Sequence, residues 1–233
     1  MRIALMVIRL ILFVPFYIMK FAWMGKHATK DDAFYFVQYT TRKANRAGRV
    51  KIETFGLENL PKEDGFIMFP NHQGLYDVMI FLDTCPRPFS FVYKAEIKNV
   101  PLIKQVFSAL RSIPMDRKDL RQSMKVILEM TNRVNTGENF IIFAEGTRSK
   151  KGNRMLEMKA GSFKSAVKAK CPIVPCAIID SFKPFDENSI KPVTVKIHYL
   201  EPIMYEEYKD MSTLEIAALV KSRIEEVLFT YPQ

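Results

Sequence analysis

Apolar residues recur along this chain with two different periods, and the switches between them outline its elements. Val50-Lys51-Ile52-Glu53-Thr54 alternates as a half-buried strand does. Short apolar runs follow at 66–69, 89–93, 113–115, 140–144, 173–179 and 193–199. Helical patterns separate several of them, at 77–82, 102–110, 120–135 and 162–170. This alternation predicts an α/β fold: a single domain with a mostly parallel central sheet flanked by helices. Ser212-Thr213-Leu214-Glu215 carries a capping-box signature and opens a last helix, to about Phe229. Upstream, Thr29 with Asp31 and Asp32 starts a helix that runs to Ala47 and stops at Gly48.

The segment before that helix is of another kind. Residues 1–23 are strongly apolar, but Arg9 interrupts them and Lys20 ends the run, with a kinkable Pro15 and a break at Gly25. The unbroken apolar part, 10–19, is too short to cross a bilayer, which takes about 20 residues. Drawing Arg9 to the membrane centre would cost about 2.5–3.5 kcal/mol. No Ala-x-Ala-like site follows, which speaks against a cleaved signal peptide. The pattern reads as an interfacial anchor: Phe13, Phe16, Tyr17, Phe21 and Trp23 enter the headgroup boundary while Arg9, Lys20 and Lys26 meet anionic heads. The competing reading is a first helix packed wholly into the protein.

Charge sharpens this picture. The formal net charge is +10, and residues 1–51 hold ten Lys or Arg against Asp31 and Asp32, whereas 201–233 are net acidic. A second basic cluster is Arg148, Lys150, Lys151, Arg154 and Lys159. The basic stretch 42–51 and a pI of about 9.4 would suit a non-enzymatic nucleic-acid binder. The apolar N-terminus and the lack of any nucleic-acid module direct the charge to an anionic membrane surface instead. At 233 residues one domain with a sizeable core is expected. Cys85, Cys171 and Cys176 have no disulfide-like spacing, which favours buried thiols in a reducing compartment. His27, His72 and His198 offer no metal-ligand spacing, so no metal site is read; His27 and His198 are taken as structural. Phe34, Tyr35, Phe36 and Tyr39 are assigned to core packing ahead of an acyl groove.

Candidate chemistry lies in two loops, each behind an apolar run. Asn71-His72-Gln73-Gly74-Leu75-Tyr76-Asp77 puts an imidazole and a carboxylate five residues apart. That spacing does not share a helical face, so the pair works only with His72 on a turn and Asp77 in the first turn of a helix. An imidazole so oriented can take a hydroxyl proton near neutral pH. The second loop, Glu145-Gly146-Thr147-Arg148-Ser149, combines close backbone approach at glycine with a forked donor for phosphate. In isolation the first pair reads as structural and the second as a solvated turn. Their placement changes that: His72, Lys94, Arg117 and the 145–148 loop each follow the C-terminal end of an expected strand. In a parallel sheet those ends share one edge, where ligands bind.

Together the motifs resemble the glycerolipid acyltransferases with a His-x4-Asp motif, the 1-acyl-sn-glycerol-3-phosphate acyltransferase family. Lys94-Ala95-Glu96-Ile97, Pro101-Leu102 and Ser112-Ile113-Pro114-Met115-Asp116-Arg117 are similar to its second block, and Lys159-Ala160-Gly161-Ser162-Phe163 and Ile173-Val174-Pro175-Cys176-Ala177 to its later ones. Five blocks in order span about 50–199. Gly74, Ala144 and Arg111 depart from the usual Ser, Pro and Gly without removing a reactive group.

The resemblance implies transfer of a fatty acyl group to the sn-2 hydroxyl of 1-acyl-sn-glycerol-3-phosphate, giving phosphatidate. The donor would be acyl-CoA or acyl-acyl-carrier-protein, with no other cofactor. His72 would be the general base and Asp77 its orienting partner; Arg148, with Arg117 and Lys94, would hold the acceptor phosphate in a pocket shaped by Glu145, Gly146 and Thr147. Glycerol 3-phosphate or another lysolipid is an alternative acceptor. No Gly-x-Ser-x-Gly elbow is present, which favours direct transfer. The layout expected is a membrane-associating segment, 1–48, and an acyltransferase domain, 49–233, held peripherally or monotopically at the cytoplasmic face of the cell membrane, with acyl carrier protein as a possible partner and no nucleic acid.

Overall fold

The alternating run after Gly48 and the six apolar runs downstream form one seven-stranded sheet. The computed structural model describes residues 1–116 and 119–232. Its strands are β1 (Val50–Phe55), β2 (Ile67–Pro70), β3 (Phe89–Lys94), β4 (Ile113–Met115), β5 (Asn139–Ile141), β6 (Ile173–Ile179) and β7 (Val193–Tyr199). They lie in the order β1-β7-β6-β2-β5-β3-β4. The five strands from β6 to β4 run parallel; β7 opposes β6, and β1 runs with β7. The sheet is therefore mostly parallel, with the reversal confined to one margin. β2, β5, β3 and β4, which precede the candidate loops, all point the same way.

The helices are α1 (Arg2–Leu10), α2 (Val14–His27), α3 (Lys30–Ala47), α4 (Asp77–Thr84), α5 (Ile103–Ala109), α6 (Leu120–Asn135), α7 (Lys164–Ala169), α8 (Lys183–Asp186), α9 (Tyr205–Tyr208) and α10 (Thr213–Leu228). The pleat of β2 divides them. Phe66 and Met68 face a core built with α1 to α5, while Ile67 and Phe69 face one built with α6, α7, α9 and α10. Helices on both faces explain why β2 and β6 are apolar at every position. The expected caps are present: Thr29 accepts from the Asp32 amide, and Ser212 and Glu215 form a reciprocal box.

Three local expectations need correction. The chain leaves the sheet earlier than the run 140–144 suggests, because the Phe143 carbonyl accepts from Gly146 N–H and the Ala144 carbonyl from Lys159 N–H. Gly25 does not break a helix. It lies inside α2 where a Cβ would sit 2.6 Å from Ser108 Oγ, so glycine there permits close approach to α5. Pro15 produces no kink either; it occupies the first turn of α2, where its missing N–H costs nothing. The break falls at 11–13, and α1 and α2 meet at 89°.

The N-terminal pair is neither wholly packed nor free. Met6, Tyr17, Phe21 and Met24 are buried, whereas Ile8, Leu12, Phe16, Met19 and Trp23 are exposed, Leu12 to 87%. Packing wholly into the protein is thereby overturned as a reading. No single helix among the described residues is long and apolar enough to cross a membrane. Arg9 donates to the Ala47 carbonyl and so caps α3, a use of its charge that the sequence did not reveal. Arg2 is buried and donates to the carbonyls of Gly48, Pro184 and Lys191 at 2.6, 3.1 and 2.8 Å. α3 inserts Phe34 and Val37 into the core, and its Gln38 and Asn45 bond to Cys85, Tyr76 and Asp83. α3 thus packs against the globular body across the boundary expected at residue 48.

Candidate active site

β2 ends at Pro70 and α4 begins at Asp77, so the loop between them carries His72 on a turn and the carboxylate in the first helical turn. Asn71 makes this geometry rigid by pairing with β6 as a strand residue would. Its Nδ2 donates to the Ile178 carbonyl at 2.9 Å, and its Oδ1 accepts from the Ile178 amide at 2.7 Å. His72 Nδ1 then lies 2.6 Å from Asp77 Oδ2.

Asp77 is fully buried and has three other donors: Gln73 N–H on Oδ2 at 2.8 Å, and Gly74 N–H and Ser181 Oγ on Oδ1 at 3.0 and 2.5 Å. A carboxylate ringed by donors is an acceptor towards the imidazole as well, which puts the histidine proton on Nδ1. The Nε2 lone pair is left to receive a proton. The imidazole rests on the Phe143 ring, centroids 4.2 Å apart, and its side chain keeps 21% of its exposure.

The second loop grips the first. Glu145 is 2% exposed; its Oε1 accepts from His72 N–H at 2.6 Å and its Oε2 from Leu156 N–H at 2.7 Å. The His72 carbonyl in turn accepts from Ser149 N–H at 2.8 Å. Burial pushes the Glu145 carboxyl up to about 7, against the pull of those two amides. Glu145 thus binds loop to loop through both of its carboxylate oxygens. Gly146 has φ +75°, and a Cβ there would meet Lys159 Nζ at 2.8 Å, so the glycine serves both the turn and the path of that lysine.

Arg148 is 31% exposed in its side chain and sits 4.0 Å from Asp186 Oδ1. It lines a cavity of about 550 Å³ with Lys150, Phe182, Phe185 and Asp186. The cavity adjoins the His72 loop, since a Cβ on Gly74 would lie 3.0 Å from Phe182 Cα. That approach is also why glycine fits at 74. Thr147 is exposed beside Arg148. Lys94 is not brought to this cavity: it ends β3, two strands from β2, and pairs with Glu96 at 3.0 Å. Arg117 lies outside the described residues.

Sequence reasoning missed Ser181 and Gln73. Gln73 Oε1 accepts from the Ser181 amide at 2.9 Å and lies 3.0 Å from the hydroxyl that donates to Asp77, and its Nε2 donates to Asn153. A signal for Ser181 was available, since it follows β6, another strand ending at the same edge.

The chain matches the family model described as Acyltransferase over residues 51–179. It is 29% identical over 141 residues to the 1-acyl-sn-glycerol-3-phosphate acyltransferase of Borreliella burgdorferi, covering 60% of this chain and 56% of that protein. To the chloroplastic BAT2 of Brassica napus, named for the same activity, it is 32% identical over 134 residues, 57% of this chain and 38% of that one. The Escherichia coli protein of that name is 27% identical over 161 residues, 69% of this chain and 65% of its own. The matched part thus spans about a third to two thirds of these relatives. Among solved structures, the crystal structure of the 1-acyl-sn-glycerophosphate (LPA) acyltransferase PlsC from Thermotoga maritima superposes with a TM-score of 0.79 at 21% identity, covering 100% of both chains, and so shares the fold.

Proposed function

This chain belongs to the acyltransferase family, and on that premise we propose that it transfers a fatty acyl group from a thioester to the sn-2 hydroxyl of 1-acyl-sn-glycerol-3-phosphate, giving phosphatidate. The observation that carries this reading is the His72–Asp77 pair at 2.6 Å, on a loop that adjoins the cavity lined by Arg148 and Lys150. Nε2 takes the acceptor's hydroxyl proton as the oxygen attacks the thioester carbonyl. Asp77 stabilises the imidazolium that forms. Collapse of the tetrahedral intermediate breaks the C–S bond, and the imidazolium returns its proton to the departing thiolate. The Arg148 fork, with Lys150 beside it, holds the acceptor phosphate. The test is product identification by mass after incubation with labelled acyl-CoA or acyl-acyl-carrier-protein and a panel of glycerol 3-phosphate and lysolipids. Phosphatidate from lysophosphatidate is the expected product; acylation of none of the panel would end the reading.

Arg148→Ala is expected to raise the acceptor KM and leave the donor KM nearly unchanged. Loss of a charge-assisted bond is worth about 1.5–3 kcal/mol, or roughly 10–150-fold. Equal weakening of both substrates would move Arg148 out of the acceptor site.

Residues 1–27 are proposed as the attachment to the cytoplasmic face of the cell membrane, with the exposed side of α1 and α2 in the interface. Each large apolar side chain fully withdrawn from water contributes about 1.5–3 kcal/mol, against about 1 kcal/mol per nearby cation on an anionic surface, so burial dominates. Deleting the segment would also remove the three Arg2 bonds and confuse attachment with folding. Ile8→Glu/Leu12→Glu/Phe16→Glu changes only exposed positions. The triple variant is expected to float free of anionic vesicles with an unchanged melting temperature. Vesicle binding equal to the parent protein would exclude this face.

A further inference from the structure

Two substrates must meet at His72 Nε2, and the Arg148 cavity accounts for one. A second cavity, of about 740 Å³, opens between α6 and α7 and is lined in part by Phe143, whose ring bears the imidazole. Its two walls differ in chemistry. One is apolar, built by Met115 of β4 and Met124, Ile127 and Met130 of α6, with Met124 62% exposed. The other carries Lys159, Lys164 and Lys168, the last two one turn apart on α7. No carboxylate lines the cavity, and none of the three ammonium groups has an ion-pair partner among the described residues. Gly146 lines the cavity too, and its missing side chain lets Lys159 approach the loop that holds His72.

An unopposed row of cations facing an apolar wall suits an amphipathic anion, because the lysine wall concentrates positive charge that no residue lining the cavity neutralises. Resting on the acyl-transfer reading, we infer that this groove receives the thioester donor, with Lys159, Lys164 and Lys168 holding the phosphate of its phosphopantetheine arm and the apolar wall alongside the acyl part. That phosphate is common to acyl-coenzyme A and acyl-acyl-carrier-protein. The donor then enters from the α7 side and the acceptor from the Arg148 side, and they meet across the imidazole.

The test is Lys164→Glu/Lys168→Glu, assayed with both donors. Because both positions are exposed, the fold should persist, which melting checks. The donor KM is expected to rise at least about tenfold in both arms, with the acceptor KM within about twofold. A rise for acyl-carrier-protein alone would make the lysines a docking contact for an acidic protein, overturning the assignment to the arm. A rise in the acceptor KM instead would place the acceptor here, and no change in either would empty the groove of any role.

A second measurement needs no turnover. Cys85, Cys171 and Cys176 are all buried, so Met124→Cys supplies a lone accessible thiol. Its alkylation should slow at least about fivefold with S-octyl-coenzyme A, a thioether that cannot transfer its chain. Slowed alkylation without any acyl transfer by the parent protein would sink the function and keep the groove. Normal transfer with unslowed alkylation and unchanged donor KM would sink the groove alone.

Discussion

Replacing His72 with alanine is expected to lower turnover about 10²–10⁴-fold, the range that a positioned general base supplies. The fold should survive, because the imidazole is partly exposed and the loop is held by other groups: His72 N–H on Glu145, its carbonyl on Ser149 N–H, and the Asn71 side chain on β6. Steady-state kcat on verified pure protein, with melting temperature as control, decides the matter. Turnover within about threefold of the parent would mean that Nε2 does not take the proton.

Asp77→Asn is expected to be nearly as damaging, by roughly 10²–10⁴-fold in kcat. The four donors around this carboxylate explain why an isosteric change is not a mild one. If the new amide oxygen stays towards His72 and Gln73, the nitrogen meets Gly74 N–H, donor against donor; Ser181 can rotate to accept but the amide cannot. If the amide turns over, its N–H₂ faces His72 Nδ1 and favours the tautomer with the proton on Nε2, the wrong nitrogen for a base. In either orientation the imidazolium loses its counter-charge. A kcat within about tenfold of the parent, with folding intact, would show that orientation and charge at Nδ1 matter little here.

Much of this arrangement was readable in the chain because it rests on local rules. Period-two and continuous apolar runs located all seven strands, the Thr29 and Ser212 caps located two helix starts, and the common direction of β2, β5, β3 and β4 gathers their loops at one edge. What could not be read depends on partners far away in sequence. Ser181 and Asp77 are 104 residues apart, and Arg2 and Lys191 are 189 apart. A single serine or arginine in a loop carries no periodic signature of such a bond. Lys94 illustrates the same limit: its motif placed it at the end of β3, and strand order, which no local pattern gives, sets it two strands from the His72 loop. The bonds from Glu145 to the His72 and Leu156 amides were likewise beyond local reading, since sequence does not say which way a loop carboxylate turns.

Arg2 gives the N-terminal helices a mechanical character. Its guanidinium is fastened to the end of α3, to α8 and to the connection that follows it, while Arg9 is fastened to α3 as well. On the membrane reading, the pair is a bracket and not a leash. A leash would let the imidazole wander over a range of heights above the lipid surface. A bracket sets one standoff, and a hydroxyl that rides deeper or shallower than that height stays out of reach however well its phosphate fits. Selection among lipids would then begin with depth, before any group on the protein has touched the substrate.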